Sequence, residues 1–102
     1  MTVALVTGGR DFCEIRPGAD HMGERRALGF ALDWVKPSAV IAMAGEDGPS
    51  RMSQIWCERR GVEFSAEVLQ QPEIVIAFPG ASQRAIDRAN ELGIDIYEVG
   101  IK

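Results

Sequence analysis

The stretch Val3-Ala4-Leu5-Val6-Thr7-Gly8-Gly9-Arg10 runs from a short apolar segment straight into two glycines. The same arrangement recurs at residues 40–45 (VIAMAG) and at residues 74–80 (IVIAFPG). Apolar runs of this length are typical of strands that are buried on both faces of a parallel sheet. If the three runs are neighbouring strands, their glycine turns open at one edge of the sheet, where open α/β sheets bind ligands.

Helical patterns alternate with these strands. Ala27, Phe30, Ala31, Trp34 and Val35 follow the spacing i, i+3, i+4, i+7 and i+8, which predicts an amphipathic helix packed on the sheet. A second helix is expected from Pro49 to the cap Gly61, and a third over about residues 82–92, ending at Gly93. Strands are expected at residues 3–7, 39–43, 62–64, 74–78 and 94–99.

This alternation predicts the α/β class. The expected fold is a small Rossmann-like three-layer sandwich with a mainly parallel sheet of about five strands. Residues 1–102 form a single domain, because a chain of 102 residues is long enough for one modest core.

Composition narrows the function classes. The formal net charge of −4 argues against nucleic-acid and membrane-surface partners, since both need a basic face. Cys13, Cys57 and His21 lack the spacing of a zinc site, so we expect no metal and no cofactor. Two idle thiols and an N-terminus that leads directly into a strand predict a cytoplasmic protein.

The first glycine turn is the strongest candidate site. Gly8 and Gly9, directly after Thr7, allow the backbone to approach a ligand, and the Arg10 guanidinium can pair with a phosphate. Phe12 can stack on a base, or equally well pack in the core. The dinucleotide and Walker patterns are both absent. The alternative, given equal weight, is a tight turn with a solvated arginine.

The second turn is a weaker candidate. Gly45 and Gly48 precede a helix start at which free N–H groups and the Ser50 hydroxyl can contact an anion, with Arg51 beside them. In isolation, a turn followed by a helix cap is the favoured interpretation.

The third turn combines Pro79, Gly80, Ala81 and Ser82, with Arg84 close behind. Ser82 is a natural N-cap, so capping alone explains it. The functional hypothesis is that the backbone amides and the hydroxyl of this turn bind a phosphate, with Arg84 joining them.

Taken in order, the three turns resemble the YspA-like branch of the SLOG superfamily, which also holds the LOG phosphoribohydrolases and the DNA-processing Smf/DprA proteins. The resemblance covers residues 3–99. It implies a Rossmann-like fold that binds nucleotides or nucleotide derivatives, often as a homodimer. It rests on the motifs Thr7-Gly8-Gly9-Arg10-Asp11-Phe12, Gly45-x-x-Gly48 followed by Trp56, and Ala77-Phe78-Pro79-Gly80.

The chain departs from the family's motifs at phosphate-binding positions. Gln83 and Arg84 stand where the family has a glycine and a threonine, and Pro49-Ser50 replaces Ala-Asp. The connection before residue 74 is also short and lacks the family's Arg-Asn pair. These losses favour binding without turnover, because glycosidic cleavage needs a precisely held phosphate. The alternative is a LOG-like nucleoside monophosphate phosphoribohydrolase with Asp87 as the catalytic acid.

The expected function is therefore binding of a nucleotide-type small molecule. Small size and eroded motifs lead to the hypothesis of a phage or mobile-element protein that sequesters a nucleotide signal in antiviral defence. Trp34 and Trp56 lie at apolar helical positions, so core packing is expected for both. If Phe30 and Trp34 prove exposed, they are candidates for a homodimer or larger homo-oligomer interface.

Overall fold

A parallel sheet lies at the centre of the computed structural model, which describes residues 2–15, 17–18, 20–43, 45–66 and 71–99. Its five strands are β1 (Val3–Thr7), β2 (Ala39–Ala42), β3 (Glu63–Ser65), β4 (Ile74–Ala77) and β5 (Asp95–Glu98). Three helices connect them: α1 (His21–Val35), α2 (Asp47–Arg60) and α3 (Gln83–Leu92). The predicted α/β class is confirmed, and each described strand pairing is parallel.

The strand order β3-β2-β1-β4-β5 creates a switch point at the centre of the sheet. The strands β1, β2 and β3 follow one another from the centre of the sheet to one edge. The chain then returns to the centre, where β4 pairs with β1, and β5 forms the opposite edge. Thr7 at the end of β1 is in register with Ala77 at the end of β4, so the loops that follow them start at the same level. In open sheets of this kind, ligands bind in the crevice between two such loops.

The two faces of the sheet are covered unequally. Ala4 and Val6 of β1 point toward α1 and α2, where they join a core that includes Leu28, Leu32 and Trp56. The alternate residues of β1, Val3 and Leu5, point to the other face, where they cluster with Ala85 and Ala89 of α3. The split follows from the period of two along a strand.

Most helix ends agree with the predicted signals. Gly61 and Gly93 are left-handed C-caps, with φ of 67° and 70°, and the Ser82 side chain accepts a hydrogen bond from the Ala85 N–H at 3.4 Å. However, α2 begins at Asp47, so Pro49 is its third residue rather than its first. Proline is tolerated there because N–H groups in the first turn have no partner within the helix.

The strand boundaries differ slightly from the prediction. The second and fourth strands each end one residue early, the third is shifted by one residue, and the fifth loses one residue at each end.

The predicted inward face of α1 is wrong in part. Phe30 and Trp34 are 67% and 78% exposed, whereas Leu28, Ala31 and Leu32 are buried. Residues two apart on a helix lie on different faces, so seating Leu28 and Leu32 on the sheet turns Phe30 and Trp34 toward solvent. Trp56 is 8% exposed, as predicted, and its Nε1 donates to Asp33 at 3.0 Å.

Both cysteines are buried, and neither forms a disulfide in the described part of the chain. Burial, with a smaller effect from the Glu58 charge, raises the pKa of the Cys57 thiol to about 11, so it stays protonated at neutral pH. The described residues contain no group of three side chains able to hold a metal ion. Within the same ranges, no helix combines the length and apolarity needed to cross a bilayer.

Candidate functional site

The three predicted turns meet at the C-terminal edge of the sheet. The Gly9 N–H donates to the Pro79 carbonyl at 2.9 Å, which joins the first turn to the third. The Gly48 N–H donates to the Arg10 carbonyl at 3.0 Å, which joins the second turn to the first. The backbones of the three turns are therefore in direct contact at the switch point.

Two glycines of these turns are required because the loops approach one another closely. A Cβ atom on Gly48 would overlap the carbonyl oxygen of Phe12. Gly80 has φ of +82°, and a Cβ there would lie 2.7 Å from the Cα of Gly9. Both positions thus have a structural explanation in loop-to-loop packing, whatever ligand the edge binds.

An acidic side chain occupies the centre of the edge. Glu46 accepts a hydrogen bond at Oε2 from the Thr7 hydroxyl at 3.0 Å, and at Oε1 from the Gly8 N–H at 3.0 Å. Glu46 is the N-cap residue of α2, but its side chain does not cap that helix. The carboxylate instead reaches back to the two groups at the end of β1 that are best placed to bind an anion.

Burial dominates the electrostatics of this carboxylate. It raises the pKa of the Glu46 carboxyl above its ordinary value, and the hydrogen bonds from Gly8 and Thr7 offset the rise only in part. The Thr7 hydroxyl is fully buried and also accepts from the Ser82 N–H at 3.0 Å. Thr7 therefore links the acid at the end of β2 to the start of α3.

Several amides that the sequence offers to a phosphate are already paired inside the protein. The Gly8, Gly9 and Ser82 N–H groups bond to Glu46, Pro79 and Thr7, and the Ala81 N–H donates to the Phe78 carbonyl at 3.0 Å. By contrast, α3 begins at Gln83, so the Gln83 and Arg84 N–H groups have no acceptor within that helix. No acceptor for these two amides lies in the described part of the chain, so they can donate to an anion at the edge.

Arg10 and Phe12 occupy different environments. The Arg10 side chain is 75% exposed and its Nε lies 3.3 Å from Oδ2 of Asp47, so it stays at the rim of the edge. Phe12 is only 4% exposed and stacks on Phe78 with ring centroids 5.0 Å apart. Of the two interpretations of Phe12, core packing is the one the structure shows.

The remaining predicted site residues lie further out. Ser50 is half-buried in the first turn of α2, where its N–H donates to the Glu46 carbonyl. The Arg84 side chain lines a cavity beside α3. Asp87 is exposed and accepts a hydrogen bond from Nε2 of Gln83 at 2.8 Å, on the helix surface.

Sequence reasoning did not identify Glu46 as a site residue. The available signal was an acid between Gly45 and Gly48 directly after a buried strand. That signal does not say which neighbouring strand the side chain contacts.

Comparison with protein-family models, with curated proteins and with solved structures finds no match to this chain. The resemblance to the SLOG superfamily therefore stays a prediction that rests on the three turn motifs. The geometry of the edge is therefore the basis for a proposed function.

Proposed function

We propose that the protein binds a nucleotide or nucleotide-derived small molecule at the C-terminal edge of the sheet, without turnover. The observation that carries this proposal is the position of the Glu46 carboxylate on the Thr7 hydroxyl and the Gly8 N–H. A carboxylate is an anion, so the free protein already holds negative charge where a ligand phosphate would bind. One role for such a binder is sequestration of a nucleotide signal, as in a phage protein that counters antiviral defence.

A ligand phosphate can replace the Glu46 carboxylate as the acceptor of the Thr7 and Gly8 hydrogen bonds. Burial already disfavours the ionised form of Glu46, whereas a phosphate brings up to two charges and three acceptor oxygens. The Arg10 guanidinium at the rim and the Gln83 and Arg84 amides at the start of α3 supply further donors. Arg10 would exchange the exposed carboxylate of Asp47 for the ligand, at little cost.

In the enzyme alternative Asp87 is the predicted acid, and Glu46 is a second candidate. Asp87 accepts a hydrogen bond from Gln83 on the exposed side of α3. Within the described residues it makes no hydrogen bond to the three glycine turns. Glu46 has a raised pKa and a central position, the properties of a general acid for N-glycosidic cleavage. We therefore propose Glu46, beside the predicted Asp87, as a candidate acid for a phosphoribohydrolase activity.

Replacing Glu46 by alanine is expected to strengthen binding of AMP, ADP-ribose or sulfate by about tenfold, because the competing internal anion is gone. Isothermal titration calorimetry measures the change. Glu91→Ala is the matched control, since it removes the same charge from an exposed position on α3 and should leave affinity unchanged. If folded wild-type protein and Glu46→Ala both bind none of the three probes, the proposal is wrong.

A pH series with sulfate, which stays ionised throughout, sharpens this test. Because the pKa of Glu46 is raised, the carboxyl takes up its proton at a higher pH than an ordinary glutamate. Wild-type affinity for sulfate should therefore rise as the pH falls from neutral through the raised pKa of Glu46, while Glu46→Gln shows a flat profile. The AMP samples test the enzyme alternative. Release of free adenine by the wild-type protein would favour the phosphoribohydrolase, and its absence in Glu46→Gln would identify Glu46 as the catalytic acid.

We also propose that the exposed Phe30–Trp34 face of α1 forms a homodimer contact. Two large apolar side chains one helical turn apart, both more than 60% exposed, are the composition of an interface core. Trp34→Gln is expected to weaken self-association by about tenfold in sedimentation equilibrium, while Glu91→Gln, at an exposed position of α3 on the opposite face of the sheet, leaves it unchanged. Wild-type protein that sediments as a monomer at all concentrations would contradict this.

A further inference from the structure

We propose that the cavity beside α3 is a second binding site, for a small molecule with an apolar body and one anionic head. This site is separate from the edge described above, and it needs no nucleotide to be present. The cavity has a volume of about 560 Å³, within the range of roughly 300–1,000 Å³ that small-molecule sites occupy.

The cavity follows from the connectivity of the sheet. The connection from β3 to β4 has only eight residues, 66–73, whereas a parallel crossover usually takes a dozen or more and forms a helix. None of its described residues is helical. Within the described ranges, α3 is the one helix that packs on this face, and the cavity lies beside it.

The floor of the cavity is apolar. It is formed by side chains from β1, β4 and α3 and from the segments beside them: Leu5, Met43, Val75, Ala85, Ala89 and Ile94. Leu92, which is 42% exposed, lies at its margin. Such a surface favours an aliphatic or aromatic body, because burying apolar area in it removes that area from water.

The positive charges that line the cavity favour a ligand with an anionic head group. Arg84 and Arg88 are one helical turn apart and are the ionisable residues among its described lining. Neither side chain has a hydrogen bond or ion pair in the described part of the chain, and no carboxylate is among the described lining residues. Two guanidinium groups above an apolar floor, with no carboxylate partner among the described residues, fit a carboxylate or sulfonate.

Anilinonaphthalene sulfonate is a suitable probe, because it joins an aromatic body to one anionic head. We expect saturable binding by fluorescence, weakened about tenfold in Arg84→Gln/Arg88→Gln. The control Arg26→Gln/Arg59→Gln removes the same charge from exposed positions on α1 and α2 and should bind as wild type. The neutral analogue N-phenylnaphthylamine should bind both variants equally.

Amide shift perturbations locate the site, and displacement distinguishes the ligand classes. Perturbations at Ala85 and Ala89 support the proposal, whereas perturbations confined to Phe30 and Trp34 overturn it. Displacement of the probe by decanoate but not naphthoate indicates an aliphatic ligand, and the reverse indicates an aromatic one. Equal probe affinity in wild type and Arg84→Gln/Arg88→Gln also overturns the proposal. Because nucleotide binding at the edge is measured separately, the two proposals fail independently.

Discussion

Gly48→Ala is expected to lower the free energy of unfolding by about 3 kcal/mol, which corresponds to a fall in Tm of roughly 12–24 °C. The added methyl group would overlap the carbonyl oxygen of Phe12, and the Arg10 carbonyl would lie 2.9 Å away. Both contacts are to backbone, so no side-chain rotation relieves them. The loop after β1 and the start of α2 would have to separate, which breaks the hydrogen bond from the Gly48 N–H to Arg10.

Gly29→Ala is the matched control for Gly48→Ala. Gly29 lies inside α1, where an added Cβ meets nothing within 4 Å. Alanine there should raise the free energy of unfolding by about 0.5–1 kcal/mol, because glycine loses more backbone entropy in a helix. Urea unfolding of both variants gives the comparison. If Gly48→Ala is as stable as Gly29→Ala, the two loops do not approach as described.

Thr7→Val should have a comparable effect, a loss of about 3 kcal/mol in the free energy of unfolding. The Thr7 hydroxyl is fully buried, donates to Glu46 and accepts from the Ser82 N–H. Valine has nearly the same shape but leaves a carboxylate oxygen and an amide without partners in the protein. Thr7→Ser, which keeps the hydroxyl and loses one methyl group, should cost only about 1 kcal/mol.

The loss in Thr7→Val should depend on pH, and its direction follows from Glu46. The hydrogen bond from Thr7 lowers the pKa of Glu46, so removing it raises that pKa further. A carboxyl with a raised folded-state pKa adds stability below its ordinary pKa and loses that contribution as the pH rises through the folded value. Thr7→Val should therefore lie closer to wild type in acid than at pH 7. A pH-independent difference in urea unfolding would contradict the Thr7–Glu46 bond.

The binding and stability predictions depend on the same contact but measure different consequences of it. Glu46→Ala removes the internal anion and leaves the Thr7 hydroxyl and the Gly8 N–H free for a ligand. Thr7→Val removes one of those donors, so it should weaken binding as well as folding. Opposite effects of the two variants on sulfate affinity would therefore support ligand binding at Thr7, whereas parallel effects would indicate a purely structural role for the pair.

Local patterns in the sequence were enough to predict the class of fold. The apolar run of residues 3–7 followed by two glycines predicts a buried strand and its turn from neighbouring residues alone. Ser82, Gly61 and Gly93 were predicted as caps for the same reason, because each acts on the helix next to it. Apolar spacing along α1 predicted a helix, but it did not distinguish the buried Leu32 from the exposed Trp34.

The position of Glu46 at the centre of the candidate site could not be predicted from local sequence patterns. Glu46 bonds to residues 38 and 39 positions earlier, and that pairing exists only because β2 lies beside β1 in parallel register. The cavity likewise depends on which face of the sheet α3 covers.

The sequence by itself thus determined the strands, the helices and the glycine turns, because hydrophobic periodicity, capping and turn chemistry act over a few residues. Only the tertiary structure decided that a glutamate occupies the edge, that Phe12 is in the core and that Arg84 faces a cavity. Each of these depends on contacts between residues distant along the chain. Such contacts are set by strand order and by which side of each helix meets the sheet.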